Sequence, residues 1–157
     1  MYKIIFHHPL PLNHNATSAS GIRPIKMLEA FERLGYNVEL VTGYSAERKA
    51  AIKRVKNNIK QGIKYQFVYS ESSTMPTILT DQHHLPLHPF LDFNFFKFCK
   101  KYNIHIGLFY RDIYWAFDGY GEKLNSAKVA VAKAAYKYDL TNYNKYLTKL
   151  YLPSTEM

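Results

Sequence analysis

Short apolar runs alternate with helix-period segments along the whole chain, and that rhythm constrains the fold more than any other feature. Tyr2–His7 opens with Ile4, Ile5 and Phe6, and a turn-rich stretch follows from Pro9 to Gly21. Ile25, Leu28, Ala30, Phe31 and Leu34 then recur at helical spacing, with Pro24 near the first turn and Gly35 after the last. Val38–Thr42 reads as a second strand. Ile52, Val55 and Ile59 mark the core face of a helix that begins at Ser45–Arg48 and stops at Gly62. Ile63–Tyr69 reads as the third strand, and Ser70–Leu87 is polar and irregular. A helix is expected over Pro89–Tyr102, with Phe90, Leu91, Phe95, Phe96 and Phe98 inward and Phe93 off the stripe. Ile104–Tyr110 is apolar on both parities, as in a strand buried on both faces. Trp115–Gly121 reads as a loop, Glu122–Leu147 as one or two helices, and Leu150–Leu152 as a last strand.

Such alternation predicts the α/β class: a doubly wound, mostly parallel, Rossmann-like sheet with helices on both faces. At 157 residues it is expected to form one domain, 1–157. Ligands of such sheets bind beyond the carboxyl ends of the strands. That selects the loops His8–Arg23, Gly43–Ala46, Glu71–Leu87 and Arg111–Gly121 before any motif is considered.

The first of these loops delivers Ser20, Gly21 and Arg23 to a helix N-terminus, where free N–H groups and the helix dipole attract anions. An ordinary N-cap by Ser20, with Pro24 in the first turn, explains the same residues. Neither a dinucleotide fingerprint nor a Walker loop is present. In the fourth loop Arg111 and Asp112 directly follow an apolar strand. A carboxylate beside a guanidinium stays ionised, so Asp112 could take a proton from a hydroxyl or hold a sugar hydroxyl. A structural ion pair or a cap is the plainer reading.

Among seven histidines, His8, His83 and His84 are placed to line a pocket as hydrogen-bonding groups. His7 and His8 point to opposite faces of a strand, and no metal-ligand spacing occurs, so no metal is expected. The lone cysteine, Cys99, excludes an internal disulfide and sits among phenylalanines as a buried apolar residue. No signal-peptide core and no run of about 18 apolar residues is present, which points to a cytoplasmic address.

The formal net charge is +9, and more than half of it falls on the second helix. There Arg48, Lys49, Lys53, Arg54, Lys56 and Lys60 stand against Glu47 alone. With Ile52, Val55 and Ile59 inward, these cations are expected on the outer side, as a solvated face or as an attractor of phospholipid or nucleic acid. Aromatic residues make up 16% of the chain but crowd helices rather than a stacking platform, so nucleic acid is the secondary partner.

Three segments carry a resemblance. They are Ser20–Phe31 with Leu34–Val38, Leu108–Trp115 (Leu-Phe-Tyr-Arg-Asp-Ile-Tyr-Trp), and Tyr138–Leu140 continuing to Leu150–Ser154. Together they are similar to the N-terminal half of GT-B glycosyltransferases, most closely the family 4 enzymes of bacterial surface-polysaccharide assembly. The resemblance implies an acceptor-side domain that works with a second, donor-binding domain absent from this chain. It implies transfer of a sugar from a nucleotide-sugar to a glycan or lipid-linked acceptor, with no cofactor and no metal. It implies Asp112 as the group that activates or orients the acceptor hydroxyl, and Gly21 and Arg23 facing the donor phosphates. Many members carry a His where this chain has Arg111, which leaves a His-based role without its residue. A peripheral position at the inner face of the plasma membrane fits the acceptor class and the cationic helix. A basic module for nucleic acid or an acidic partner is the alternative.

Overall fold

The computed structural model describes residues 2–122 and 125–154. Five strands, β1 (Lys3–His8), β2 (Asn37–Thr42), β3 (Phe67–Glu71), β4 (His105–Phe109) and β5 (Lys149–Tyr151), form one sheet. Between them run α1 (Ala19–Arg33), α2 (Ser45–Lys60), α3 (Leu91–Lys101) and α4 (Ser126–Tyr146). The order across the sheet is β2-β1-β3-β4-β5, and every pairing is parallel. This is the doubly wound α/β class expected from the alternation. The order reverses between β1 and β3, which makes their carboxyl ends the topological switch point.

Strand parity assigns the layers. Ile5, Val68, Ile106 and Leu108 face a core shared with α2, α3 and α4, in which Cys99 is also buried. Phe6 and Tyr69 face the other way, onto Leu28, Met27 and Phe31 of α1. Helices α1 and α2 both end in a Schellman turn: Tyr36 N–H donates to Phe31 O, and Ile63 N–H to Asn58 O. Each turn needs a left-handed residue, supplied by Gly35 at φ +83° and Gly62 at φ +91°. The Ile63 turn takes that residue out of β3, which starts at Phe67, while pairing of Glu71 with Phe109 of β4 carries Glu71 from the expected loop into the sheet.

Two helix readings change. Ser18, not Ser20, caps α1, its side chain accepting the Gly21 N–H at 3.3 Å, and Pro24 lies a turn deeper than expected. On α3, Phe93 is buried against Phe96, Tyr138 and Tyr143, while Phe90 precedes the helix and is 62% exposed. The cause is Asp92, whose buried pairing with Arg48 and His7 turns the arc 92-93-95-96-99 inward. α4 is a single helix. Among the described residues no helix is long and apolar enough to cross a membrane.

Candidate functional site

A cavity of about 370 Å³ opens at the β1/β3 switch point. His8 at the end of β1, Ser18, Ser20 and Gly21 at the start of α1, Ser73 and Thr74 after β3, and Arg111 after β4 line it. Three strand ends and one helix N-terminus therefore converge on one space. Ala19 and Ser20 occupy the first two helical positions, whose N–H groups have no acceptor within the helix. Gly21 is not free in this way, since its N–H is spent on Ser18. A Cβ at Gly21 would meet the Ala16 Cβ at 2.6 Å, so its glycine serves loop packing as well.

His8 is buried, and its Nδ1 meets the Glu71 carbonyl oxygen at 3.1 Å. Burial pushes its pKa down to about 4, against the pull of that hydrogen bond. At neutral pH the ring is uncharged. The carbonyl fixes the proton on Nδ1 and leaves Nε2 as an acceptor.

Behind the cavity lies a buried charge cluster. Glu71 is completely buried; Tyr69 donates its hydroxyl to Oε1 at 2.9 Å. Arg23 Nε stands 3.6 Å from Oε1, and Arg111 Nη2 stands 3.6 Å from Oε2, both beyond hydrogen-bond range. Burial raises the Glu71 pKa and outweighs the Tyr69 bond and the two guanidinium charges. Arg23 also lies over the Phe109 ring, 3.6 Å from its centroid. Glu71 Oε2, Arg23 Nε, and Arg111 Nε and Nη2 are all buried without a hydrogen-bond partner among the described residues. Two guanidinium groups thus share one carboxylate at ion-pair rather than hydrogen-bond distance, and of the two Arg111 also lines the cavity.

The structure brings His8, Ser20, Gly21 and Arg111 together and separates the other expected residues from them. Arg23 stands on the far side of Glu71, in a hollow against the sheet face. His83 and His84 line a different cavity of about 990 Å³, walled by the loops after β3 and β4 and by α4. Asp112 is half-buried, lines neither cavity, and accepts the Tyr114 N–H at 3.4 Å. Arg111 pairs with Glu71 rather than with its neighbour Asp112.

Of the cations placed on the outer face of α2, Lys49 and Lys53 are exposed. Arg54 is tied to Glu39 at 2.9 Å, and Lys56 is half-buried over the Phe98 ring. Arg48 is not a surface residue: it is 2% exposed and holds Asp92, because it falls one turn before Ile52 on the inward face. That 48-52-55-59 register was the available signal. Glu71 has no local sequence signal, since Arg23 and Arg111 come to it from other elements, and the Ser18 cap depends on where α1 begins. Among the described residues, no three His, Cys, Asp or Glu side chains gather as a metal site. Compared with known proteins, the chain matches no family model and no curated sequence.

Proposed function

We propose that the chain is the acceptor-side half of a two-domain glycosyltransferase, moving a sugar from a nucleotide-sugar to a hydroxyl of a glycan or lipid-linked acceptor. The observation that carries this reading is the switch-point cavity, which the Arg111 guanidinium and a neutral His8 line together with the start of α1. Phosphoryl oxygens of a donor held by the second domain would complete the Arg111 and Ser18–Ser20 donors. His8 Nε2 would accept a hydrogen bond from a substrate hydroxyl and orient it. Asp112, which follows Arg111 after β4 and lies outside the cavity lining, is the proposed base for a hydroxyl brought to that edge of the site. The Leu108–Trp115 segment and the strand-end position of the cavity support the same assignment.

Titration of this chain with a nucleoside diphosphate tests the anion role. Arg111→Gln removes a charge-assisted hydrogen bond of about 1.5–3 kcal/mol and is expected to weaken binding roughly 10- to 150-fold. Equal affinity in wild type and variant would remove Arg111 from the site. Sugar transfer is then measured on the protein joined to a donor-binding domain, with Asp112→Asn and Arg111→Gln. Wild-type rates in both would sink their assignment. Turnover by these 157 residues alone would refute the two-domain reading.

A further inference from the structure

The 990 Å³ cavity shares a wall with the cationic one. Ser73 and Thr74 line the smaller cavity, while Met75 and Pro76, next in the chain, line the larger. The larger cavity presents carbon: Met75, Leu79, Leu85, Val131 and the rings of Tyr114 and Tyr136. Its polar atoms are largely spent on the protein itself. The Tyr136 and Tyr114 hydroxyls both donate to Thr74 O, at 2.6 and 3.3 Å. His84 Nδ1 meets Leu79 O at 3.1 Å, and His83 Nδ1 accepts the Leu85 N–H at 3.0 Å. A sugar, covered in hydroxyls, would give up water here and find few partners. A hydrocarbon chain would give up nothing polar. The size falls within the range of ligand pockets, about 300–1,000 Å³.

The apolar surface also continues outward. Leu85 and Val131 both line the cavity and are each 54% exposed, so an apolar chain leaving the cavity would pass over carbon at the lip. The lip carries both Lys128 and Glu122, and across the shared wall the Arg111 guanidinium adds a positive charge to the smaller cavity. An occupant with an apolar chain and an anionic head matches both neighbours.

We infer that the cavity between the β3 and β4 loops and α4 binds the hydrocarbon chain of a single-chain anionic amphiphile, an alkyl or prenyl phosphate. Its chain lies against Leu79, Val131 and Tyr136 and its head turns towards the Arg111 cavity. The inference rests on the acceptor reading above for the amphiphile's role in transfer, and on the cavity alone for its binding.

Trp115 supplies the readout. It is the single tryptophan of the sequence and stacks on Tyr136 at 4.9 Å and 5°, so occupancy alters its emission. Octyl, decyl, dodecyl and farnesyl phosphate are titrated below their micelle concentrations, with inorganic phosphate and dodecyl glucoside beside them. Affinity is expected to rise by up to about fourfold per added methylene until the chain fills the cavity. Val131→Asp and Leu85→Asp, both on the exposed lip, should each weaken dodecyl phosphate by about tenfold or more. The surface variant Gln61→Ala should leave it unchanged, and circular dichroism checks that all three fold.

Tighter binding of dodecyl or of farnesyl phosphate supports the inference and identifies the chain type. Affinity independent of chain length, or unmoved by both lip variants, overturns it. Dodecyl glucoside binding as well as dodecyl phosphate overturns the anionic head. Amphiphile binding without sugar transfer by the two-domain protein would sink the transferase reading and leave the cavity assignment standing. Transfer to water-soluble glycans with no amphiphile binding would do the reverse.

Discussion

Arg48 reaches both oxygens of Asp92, with Nε at 2.8 Å and Nη2 at 3.1 Å, and Nη1 donates to the Pro9 and Gly43 carbonyls. His7 donates from Nε2 to the same carboxylate at 2.9 Å, and its Nδ1 meets the Ser70 hydroxyl at 2.7 Å. Ser70, His7 and Asp92 have the connectivity of a catalytic triad, but Ser70 is completely buried and can meet no substrate. The group is a staple between β1, β3, α2 and α3. Burial works against the Asp92 charge, yet the His7 hydrogen bond and the Arg48 charge outweigh it and hold the carboxyl below its usual pKa. Its stabilisation is therefore present above the unfolded pKa of about 4 and fades as pH falls below it. Asp92→Ala leaves a buried, unpaired guanidinium and should cost about 3–5 kcal/mol in urea unfolding. The double variant Arg48→Met, Asp92→Leu should cost less than the single one. A loss under about 1 kcal/mol would mean that the pair is not a staple. Asp139 behaves in the opposite sense. Its Oδ2 accepts the Thr77 N–H at 2.7 Å, Oδ1 has no partner among the described residues, and burial pushes its pKa up to about 7. The folded state then keeps a proton that the unfolded chain releases between about pH 4 and 7, so stability falls across that window. Asp139→Asn keeps an acceptor for Thr77 and removes the buried charge. It should gain up to roughly 4 kcal/mol at pH 8 and little at pH 4. An equal effect at both values would show that Asp139 does not titrate there. Arg48 was legible in principle from its register with Ile52, Val55 and Ile59, whereas its partner 44 residues away was not.

At the scale of elements, the strands and helices follow from periodicity because each buries a face whose spacing is local. What periodicity leaves open is rotation and order. A helix rich in phenylalanine has several plausible apolar arcs, and on α3 a charged residue, Asp92, selects among them. Strand order depends on which edge each crossover takes, so the adjacency of β1 to β3 is visible only in the sheet. For that reason the loops of the cavity could be named from sequence, while their convergence on His8 and Arg111 could not. Gly21 tests how tightly the first loop is built. In an exposed helix, Gly→Ala gains about 1 kcal/mol. Here the added Cβ would stand 2.6 Å from that of Ala16, and overpacking costs about 1–3 kcal/mol. The second effect should win: Gly21→Ala is expected to lower stability by up to about 2 kcal/mol and to weaken nucleoside diphosphate binding by moving the cavity wall. A variant that is more stable and binds as wild type would show that the loop yields freely.

Over the whole molecule, the charge of +9 is divided between two uses. Arg23, Arg48 and Arg111 point inward to Glu71 and Asp92, and Arg54 is tied to Glu39. What α2 shows to solvent is mainly lysine: Lys49, Lys53 and Lys60, with Lys56 lying half-buried on Phe98. The patch is narrower than the six cations of the sequence suggest, and its carriers are the flexible residues that act as point charges rather than as bidentate readers of phosphate. Such a surface suits a diffuse anionic plane better than a specific nucleic-acid contact. Each lysine near an anionic membrane contributes about 1 kcal/mol. Replacing Lys49, Lys53 and Lys60 together with glutamine should therefore lower partitioning onto phosphatidylserine-containing vesicles by about 100-fold. Added salt should weaken the wild type steeply and the triple variant little, since the screening length falls from about 8 Å at 0.15 M to about 3 Å at 1 M. Equal sedimentation with neutral and anionic vesicles would remove the membrane role. Capture of a labelled oligonucleotide, with no vesicle binding at any salt concentration, would instead assign the α2 lysines to nucleic acid.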